Sequence, residues 1–219
     1  MHEKLTYVTS TSQSYYQSVG VSTMPSWINL EGNKIAYFDD VTVPLKVYGI
    51  ESKLSFLPKD DDYCHASGKK AKFWRKGMCF YNAVRRCNTK YLVWIDSDVV
   101  IHKKFNIEQF LPSDREIATC ICPDGWHTET GFVIVNTENP FTKRWISEYR
   151  NYWYNGKLST LRRPWDGAVF YDSIQKYDYR NLYKRESDKK PAGFTDTPLL
   201  EYMTHYSGKR RKELIGTAI

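Results

Sequence analysis

No stretch of this sequence approaches the ~20 consecutive apolar residues that a bilayer span demands. The opening MHEKLTYVTS also lacks the apolar core of a secretory signal. The expectation is a soluble, cytoplasmic protein without a membrane span. Cysteines are few, and Cys64, Cys79, Cys87, Cys120 and Cys122 include no C-x-x-C pair. A zinc site is therefore not indicated, and reduced thiols are the default. Cys120 and Cys122 alternate with Ile121, so they share one face of a predicted strand as small core residues. Also missing are G-x-G-x-x-G and G-x-x-x-x-G-K-[ST], which argues against a Rossmann dehydrogenase and a P-loop enzyme. A bound phosphate would need a cation instead. Internal repeats and low-complexity tracts are absent too.

The chain has 219 residues, 41% of them apolar, and 17 Tyr and 7 Trp. That length and apolar content fit one folded domain with a real core. The net charge of +7, with pI near 9.0, is spread along the chain rather than gathered in one arm. Nucleic acid is not indicated, and a small anionic substrate explains the excess equally well.

Hydrophobic patterning predicts alternating strands and helices. Leu5 to Thr9 reads as a first strand followed by a polar loop and a short helix, NKIAYFDD as a second strand, and LKVYGI as a third. PKDDDYCHASGKK reads as a charged loop. From Lys70 to Cys87, residues Phe73, Trp74, Gly77, Phe80, Tyr81 and Val84 recur at helical spacing. Ile117 to Ile121 and TGFVIVN are further strands. Thr142 to Tyr154 and WDGAVFYDSIQKY are helices, the latter with Ala168, Val169, Tyr171 and Ile174 inward. The segment from Asn181 to Pro198 reads as an irregular, charged loop. The fold class is α/β, a mostly parallel central sheet with helices on both faces. Ligands of such sheets bind at the carboxyl ends of strands, which puts Thr9, Ser10, Asp39, Asp40, Asp96 and Asp98 along one edge.

YLVWIDSDVVI sets two acids between apolar, β-branched runs, the pattern of a central strand with the acids at its end. Buried charge is costly unless paired. Two readings stand: an acidic turn bonded to its own backbone, or a divalent cation site in which Asp96 and Asp98 offer hard oxygen ligands to Mn²⁺ or Mg²⁺.

KYLVWIDSDVVI resembles the Asp-x-Asp strand end of nucleotide-sugar glycosyltransferases with the GT-A fold, and THYSGKR resembles their His-x-x-Gly-x-Lys element. The families in question are the glycogenin-like and yeast-type α-galactosyltransferases and the xyloglucan xylosyltransferases. The resemblance implies that Asp96, Asp98 and His205 ligate Mn²⁺ or Mg²⁺, that Ser97 lies in the donor site, and that Lys209 with the Gly208 backbone neutralises the leaving diphosphate. It further implies one catalytic domain over residues 1–219, with a nucleotide-binding half in 1–100 and an acceptor half in 101–219. The chain is short for such enzymes and is similar to minimal forms carried by large DNA viruses, phages and bacteria.

Other stretches fit the same resemblance. FWRKG resembles the helix before the Asp-x-Asp strand, where Arg75 or Lys76 would reach the diphosphate; the competing reading is a solvated helix face. In TSTSQSYYQ, Thr9 and Ser10 would bond the base edge, with Tyr15 or Tyr16 stacked on it. Asp39 or Asp40 would accept from ribose or uracil, or serve as a turn residue. DGWHTETGFVIVN resembles the segment shaping the sugar pocket, with Asp124, Trp126, His127 and Glu129 as its polar and aromatic members. RPWDGAVF resembles the helix start where retaining members carry Asp followed by Gln or Glu. Asp166 matches the acid, whereas Gly167 stands where that second side chain is expected.

The implied function is metal-dependent transfer of a hexose from a nucleotide diphosphate sugar, UDP-linked by expectation, to a glycan or glycoprotein. Retention of anomeric configuration is favoured; inversion with Asp166 or Glu129 as general base is the alternative. Rival readings are a metal-dependent nucleotidyltransferase or sugar-nucleotide hydrolase using Asp96 and Asp98, and a non-enzymatic module binding glycan or single-stranded nucleic acid.

Overall fold

The computed structural model describes residues 4–55, 69–123, 125, 127–154, 157–184 and 194–207, with the backbone alone at 69–72. Its strands are β1 (Leu5–Thr11), β2 (Asn33–Phe38), β3 (Glu51–Leu54), β4 (Tyr91–Ile95), β5 (Val99–Ile101), β6 (Ala118–Ile121), β7 (Glu129–Asn136), β8 (Tyr179–Asn181) and β9 (Met203–His205). The helices are α1 (Gln13–Tyr15), α2 (Val21–Thr23), α3 (Lys69–Arg86), α4 (Thr142–Tyr154) and α5 (Asp166–Ile174). Seven strands form one sheet in the order β3-β2-β1-β4-β7-β6-β8. Pairing is parallel except where β7 lies antiparallel to β4 and β6.

All of β4 is buried, which its continuous apolar sequence requires of a strand covered on both faces. Its side chains alternate between two cores. Leu92 and Trp94 join Val8, Val133 and Val135 under α3, α4 and α5. Tyr91, Val93 and Ile95 join Tyr7, Phe132 and Ile134 against Trp27, Leu45, Phe110, Phe194 and Leu199. Long helices thus cover one face, and short helical turns with irregular segments cover the other. Phe80 centres the helical side, its ring 5.5 Å from Trp94, 5.6 Å from Tyr149 and 5.9 Å from Phe170. Fully burying each such side chain contributes about 1.5–3 kcal/mol.

Where α3 meets α4, a Cβ on Gly77 would stand 2.8 Å from the Trp153 ring. Trp153 is itself packed in the core, so it has little room to yield. Gly77→Ala is expected to cost about 1–3 kcal/mol by overpacking, read as a lower urea midpoint with an unchanged slope; an unmoved midpoint would contradict this packing.

Several sequence expectations are corrected. LKVYGI is not a strand: Lys46–Tyr48 is a 3-10 turn ended by Gly49 at φ 69°, and the edge strand is β3, three residues after Tyr48. The β-branched Val47 is 78% exposed, so its alternation with neighbours reflects no buried face. Val99 to Ile101 does not extend the central strand; it leaves the main sheet and pairs antiparallel with β9. On α5, Phe170 is buried with Ala168, Val169 and Ile174, whereas Tyr171 is only half-buried. Most of PKDDDYCHASGKK and the middle of the 181–198 segment lie outside the described residues. Cys120 and Cys122 are buried free thiols, as expected, with sulfurs 3.6 Å apart.

Candidate active site

The Asp-Ser-Asp turn is fixed by backbone. Asp96 N–H donates to Gly131 O at 3.0 Å, joining the end of β4 to β7, and Val99 N–H closes the turn onto Asp96 O at 3.1 Å. From there β5 pairs with β9, setting Val99 opposite His205. Tyr206 N–H then donates to Asp98 O at 3.0 Å. This small sheet carries His205 to Asp98, 107 residues away in sequence.

The result is a tight, buried cluster. Asp98 is 3% exposed and His205 5%, and one ligand atom from each of Asp96, Asp98 and His205 lies within 4.8 Å of the others. His205 Nε2 is 3.1 Å from Asp98 Oδ1 and 3.9 Å from Asp96 Oδ2. Asp96 Oδ1 accepts from Trp94 Nε1 at 2.9 Å, and Asp98 Oδ2 accepts from the Tyr15 hydroxyl at 2.9 Å.

Lys76 is the central cation. Its Nζ lies 2.7 Å from both Asp96 Oδ2 and Asp166 Oδ2 and donates to Thr130 Oγ1 at 2.9 Å. The Thr130 hydroxyl in turn donates to Asp166 Oδ2 at 2.6 Å. On the far side of His205, Glu129 Oε1 lies 3.2 Å from Nδ1 and accepts from Gly131 N–H at 3.0 Å.

Charge sharpens the picture. Burial raises the Asp96 pKa and the neighbouring Asp98 raises it further, against the lowering effect of Lys76. Burial alone would lower Lys76, but Asp166 and Asp96 override it and hold the ammonium charged. Burial would lower His205 as well; Glu129 and Asp98 instead raise it well above the ordinary value. Burial would raise Glu129 and Asp166, yet His205 and Lys76 respectively hold them below the ordinary carboxylate range. Four carboxylates therefore crowd two cationic groups. Such a donor set, two aspartates and an imidazole with excess negative charge, fits Mn²⁺ or Mg²⁺ with positions left for phosphate oxygens and water.

The cluster opens into a cleft of about 630 Å³, whose walls include Ser10, Tyr15, Asp39, Arg75, His127 and Trp165. Lys76, Asp96, Ser97, Asp98, Glu129, Asp166, Gly167 and His205 line it too, so most of the residues singled out in the sequence converge here. Others do not. Thr9 is wholly buried within β1, whereas Ser10 is half-buried and lines the cleft. Tyr16 packs its ring edge-on against Phe38 at 6.0 Å, whereas Tyr15 lines the cleft with its hydroxyl on Asp98. Asp40 is exposed and accepts from the backbone of Gln13 and Val41 at 2.9 and 2.8 Å; it is the turn residue. Lys76 is held between two carboxylates, and Arg75 also lines the cleft from α3. Asp166 lines the cleft as the first residue of α5, with Trp165 at the cap position. Gly208, Lys209, Asp124 and Trp126 lie outside the described residues.

Sequence reasoning missed Thr130, Trp165 and the Trp94 indole. None carries a local signal beyond residue type, because each acquires its role from a partner on another element or at a strand end.

No protein-family model and no curated protein matches the sequence. Solved structures do match its fold. The glycosyltransferase GlyE of Streptococcus pneumoniae TIGR4 superposes with TM-score 0.60 at 11% identity, covering 93% of this chain and 54% of GlyE. The galactosyltransferase LgtC, solved with donor and acceptor sugar analogues, gives 0.58 at 11% identity over 97% of this chain and 95% of its own. A glycosyltransferase involved in glycosylation of the major capsid of PBCV-1 gives 0.57 at 12% identity over 97% and 98%. The chain thus spans about half the length of GlyE and nearly all of the other two. With β4 ending in the acids that line the cleft and β9 bringing His205 to them, the chain has the GT-A fold of glycosyltransferases.

Proposed function

We propose that this protein is a metal-dependent glycosyltransferase that moves a hexose from a nucleotide diphosphate sugar, UDP-linked, to a hydroxyl of a glycan or glycoprotein, with retention. It works as one catalytic domain over 1–219, with donor nucleotide held by the first half and acceptor by the second. The observation that carries this reading is the buried Asp96, Asp98 and His205 cluster facing a cleft that also holds Ser10, Tyr15 and Asp39. The fold shared with glycosyltransferases supports it.

Asp96, Asp98 and His205 would hold Mn²⁺ or Mg²⁺, which when bound neutralises the donor diphosphate as charge develops on it. Ser10, Tyr15 and Asp39 receive base and ribose, and Arg75 adds a cation near the phosphates, where removal of one such partner typically costs about 3 kcal/mol in the transition state. Asp166, pinned by Lys76 and Thr130, accepts from a sugar or acceptor hydroxyl. In front-face attack the acceptor oxygen bonds to the anomeric carbon as the carbon–phosphate-oxygen bond breaks, and the acceptor proton passes to the departing phosphate. No protein nucleophile is required, which accommodates Gly167. A cytoplasmic location is part of the proposal; no described helix is long and apolar enough to cross a membrane.

Release of nucleoside diphosphate from a panel of nucleotide sugars with Mn²⁺ tests the activity. UDP release that chelator abolishes and Asp98→Asn reduces at least about 100-fold supports it. Donor untouched under every condition would contradict it, and an inverted product anomer would contradict retention alone.

A further inference from the structure

The two nitrogens of His205 face opposite neighbours. Nε2 points at Asp98 and Asp96, 3.1 and 3.9 Å away. Nδ1 lies 3.2 Å from Glu129 Oε1, a close charge contact not yet aligned as a hydrogen bond. The ring between them has little freedom. Its centroid is 5.5 Å from that of Phe194 at 31°, and a Cβ added to Gly131 would stand 2.7 Å from Nδ1. Gly131 also fixes the carboxylate, its N–H donating to Glu129 Oε1 at 3.0 Å. Glycine at 131 thus lets imidazole and carboxylate share one crowded corner of the cleft.

A metal takes the neutral imidazole, which carries one proton, and the hydrogen bond at one nitrogen decides what the other can do. Two aspartates beside Nε2 favour the proton there, where it blocks coordination. A carboxylate beside Nδ1 is the counterweight. We infer that Glu129 is the positioning residue of the metal site, drawing the His205 proton to Nδ1 so that Nε2 presents a lone pair between Asp96 and Asp98. At 3.2 Å, Oε1 is near enough to draw that proton by charge. Glu129 then acts through His205 and is neither a base toward the acceptor nor a sugar ligand. This inference rests on the metal-dependent reading above.

Mn²⁺ affinity of the full chain, followed by the electron paramagnetic resonance of free Mn²⁺ and needing no substrate, provides the test. Glu129→Ala is expected to weaken binding about 10–100-fold, as loss of an outer-shell carboxylate does. The shape-preserving Glu129→Gln is expected to weaken it about 10-fold. Neither substitution should weaken binding further when His205→Ala is already present. Long-range ¹⁵N–¹H spectra of the Mg²⁺-loaded protein should show the His205 proton on Nδ1 in the wild type and lost from that site in Glu129→Gln. Undiminished Mn²⁺ binding in both Glu129 variants, or full additivity with His205→Ala, would overturn the role of Glu129 while leaving the metal site intact. A wild type that binds no Mn²⁺ would overturn the metal site itself, and this role with it.

Discussion

Lys76→Ala is expected to lower folding stability by about 3–5 kcal/mol, the loss typical when one partner of a buried ion pair is removed. The size follows from what the ammonium holds apart. Asp96 and Asp166 each place an oxygen 2.7 Å from Nζ, with side chains only 18% and 10% exposed. Without Lys76 the two carboxylates face each other across a partly dry pocket, and Thr130 alone among the lysine's partners remains to bond Asp166. The loss also depends on pH. Burial would raise the Asp166 pKa above 3.8, but Lys76, with help from Thr130, holds it below. A carboxylate depressed in the folded state contributes stability above its unfolded pKa and loses it as pH falls through the folded one. Removing Lys76 lets burial dominate, so the variant gains when Asp166 takes up a proton. The gap between wild type and variant is therefore widest at neutral pH. It starts to narrow where burial-raised Asp166 of the variant takes up its proton, above the ordinary carboxylate range, and closes further as pH falls through the depressed pKa of the wild type. Urea unfolding monitored by tryptophan fluorescence at several pH values measures both. A pH-independent loss under about 1 kcal/mol, that of a surface pair, would contradict the clamp.

Gly167→Gln, which restores the side chain expected from the resemblance, should destabilise rather than activate. A Cβ at this position would stand 2.4 Å from the Thr128 carbonyl oxygen, and backbone does not step aside as a flexible side chain does. The strap is also tied in place: Thr128 N–H donates to Gly167 O at 3.0 Å, and Thr128 is 2% exposed. Overpacking of this kind costs about 1–3 kcal/mol, and loss of the strap hydrogen bond adds about 1 kcal/mol. Gly167→Ala should carry most of the penalty, since the clash begins at Cβ. Paired denaturation curves and donor turnover for both variants provide the check. A stable Gly167→Gln protein with raised turnover would contradict this account and show that the site tolerates the longer residue. The glycine thus reflects a close approach between α5 and the segment entering β7, which leaves that position of the cleft lined by backbone.

The parts of this site legible in the sequence are those that disturb a local pattern. Asp96 and Asp98 interrupt an apolar run that needs burial, and burial makes an acid conspicuous. Gly167 was visible as a departure from a motif, although its cause, a carbonyl from another segment, was not. His205 could be picked out only through the resemblance. Its delivery depends on pairing two three-residue strands far apart in sequence, and such short strands carry no periodicity of their own. Lys76 illustrates the opposite failure. Beside Arg75 in FWRKG it looks like one more cation on a solvated helix face, and only the fold brings Asp96 and Asp166 to the same nitrogen. Tyr15 and Tyr16 are equivalent as letters; the helical turn that sends one to Asp98 and the other to Phe38 separates them. LKVYGI misled because a β-rich composition describes a fit to a pleated, half-buried surface, and no such surface meets Val47.

The most direct test of the central claim is calorimetric titration of UDP and its sugar conjugates into the wild type and Asp98→Ala, with and without Mn²⁺. The account predicts binding that requires Mn²⁺ and disappears in Asp98→Ala, while the variant retains a cooperative unfolding transition. Binding of equal strength without metal, or in the variant, would contradict a role for Asp96, Asp98 and His205 in gripping the donor and would leave the acids as a turn.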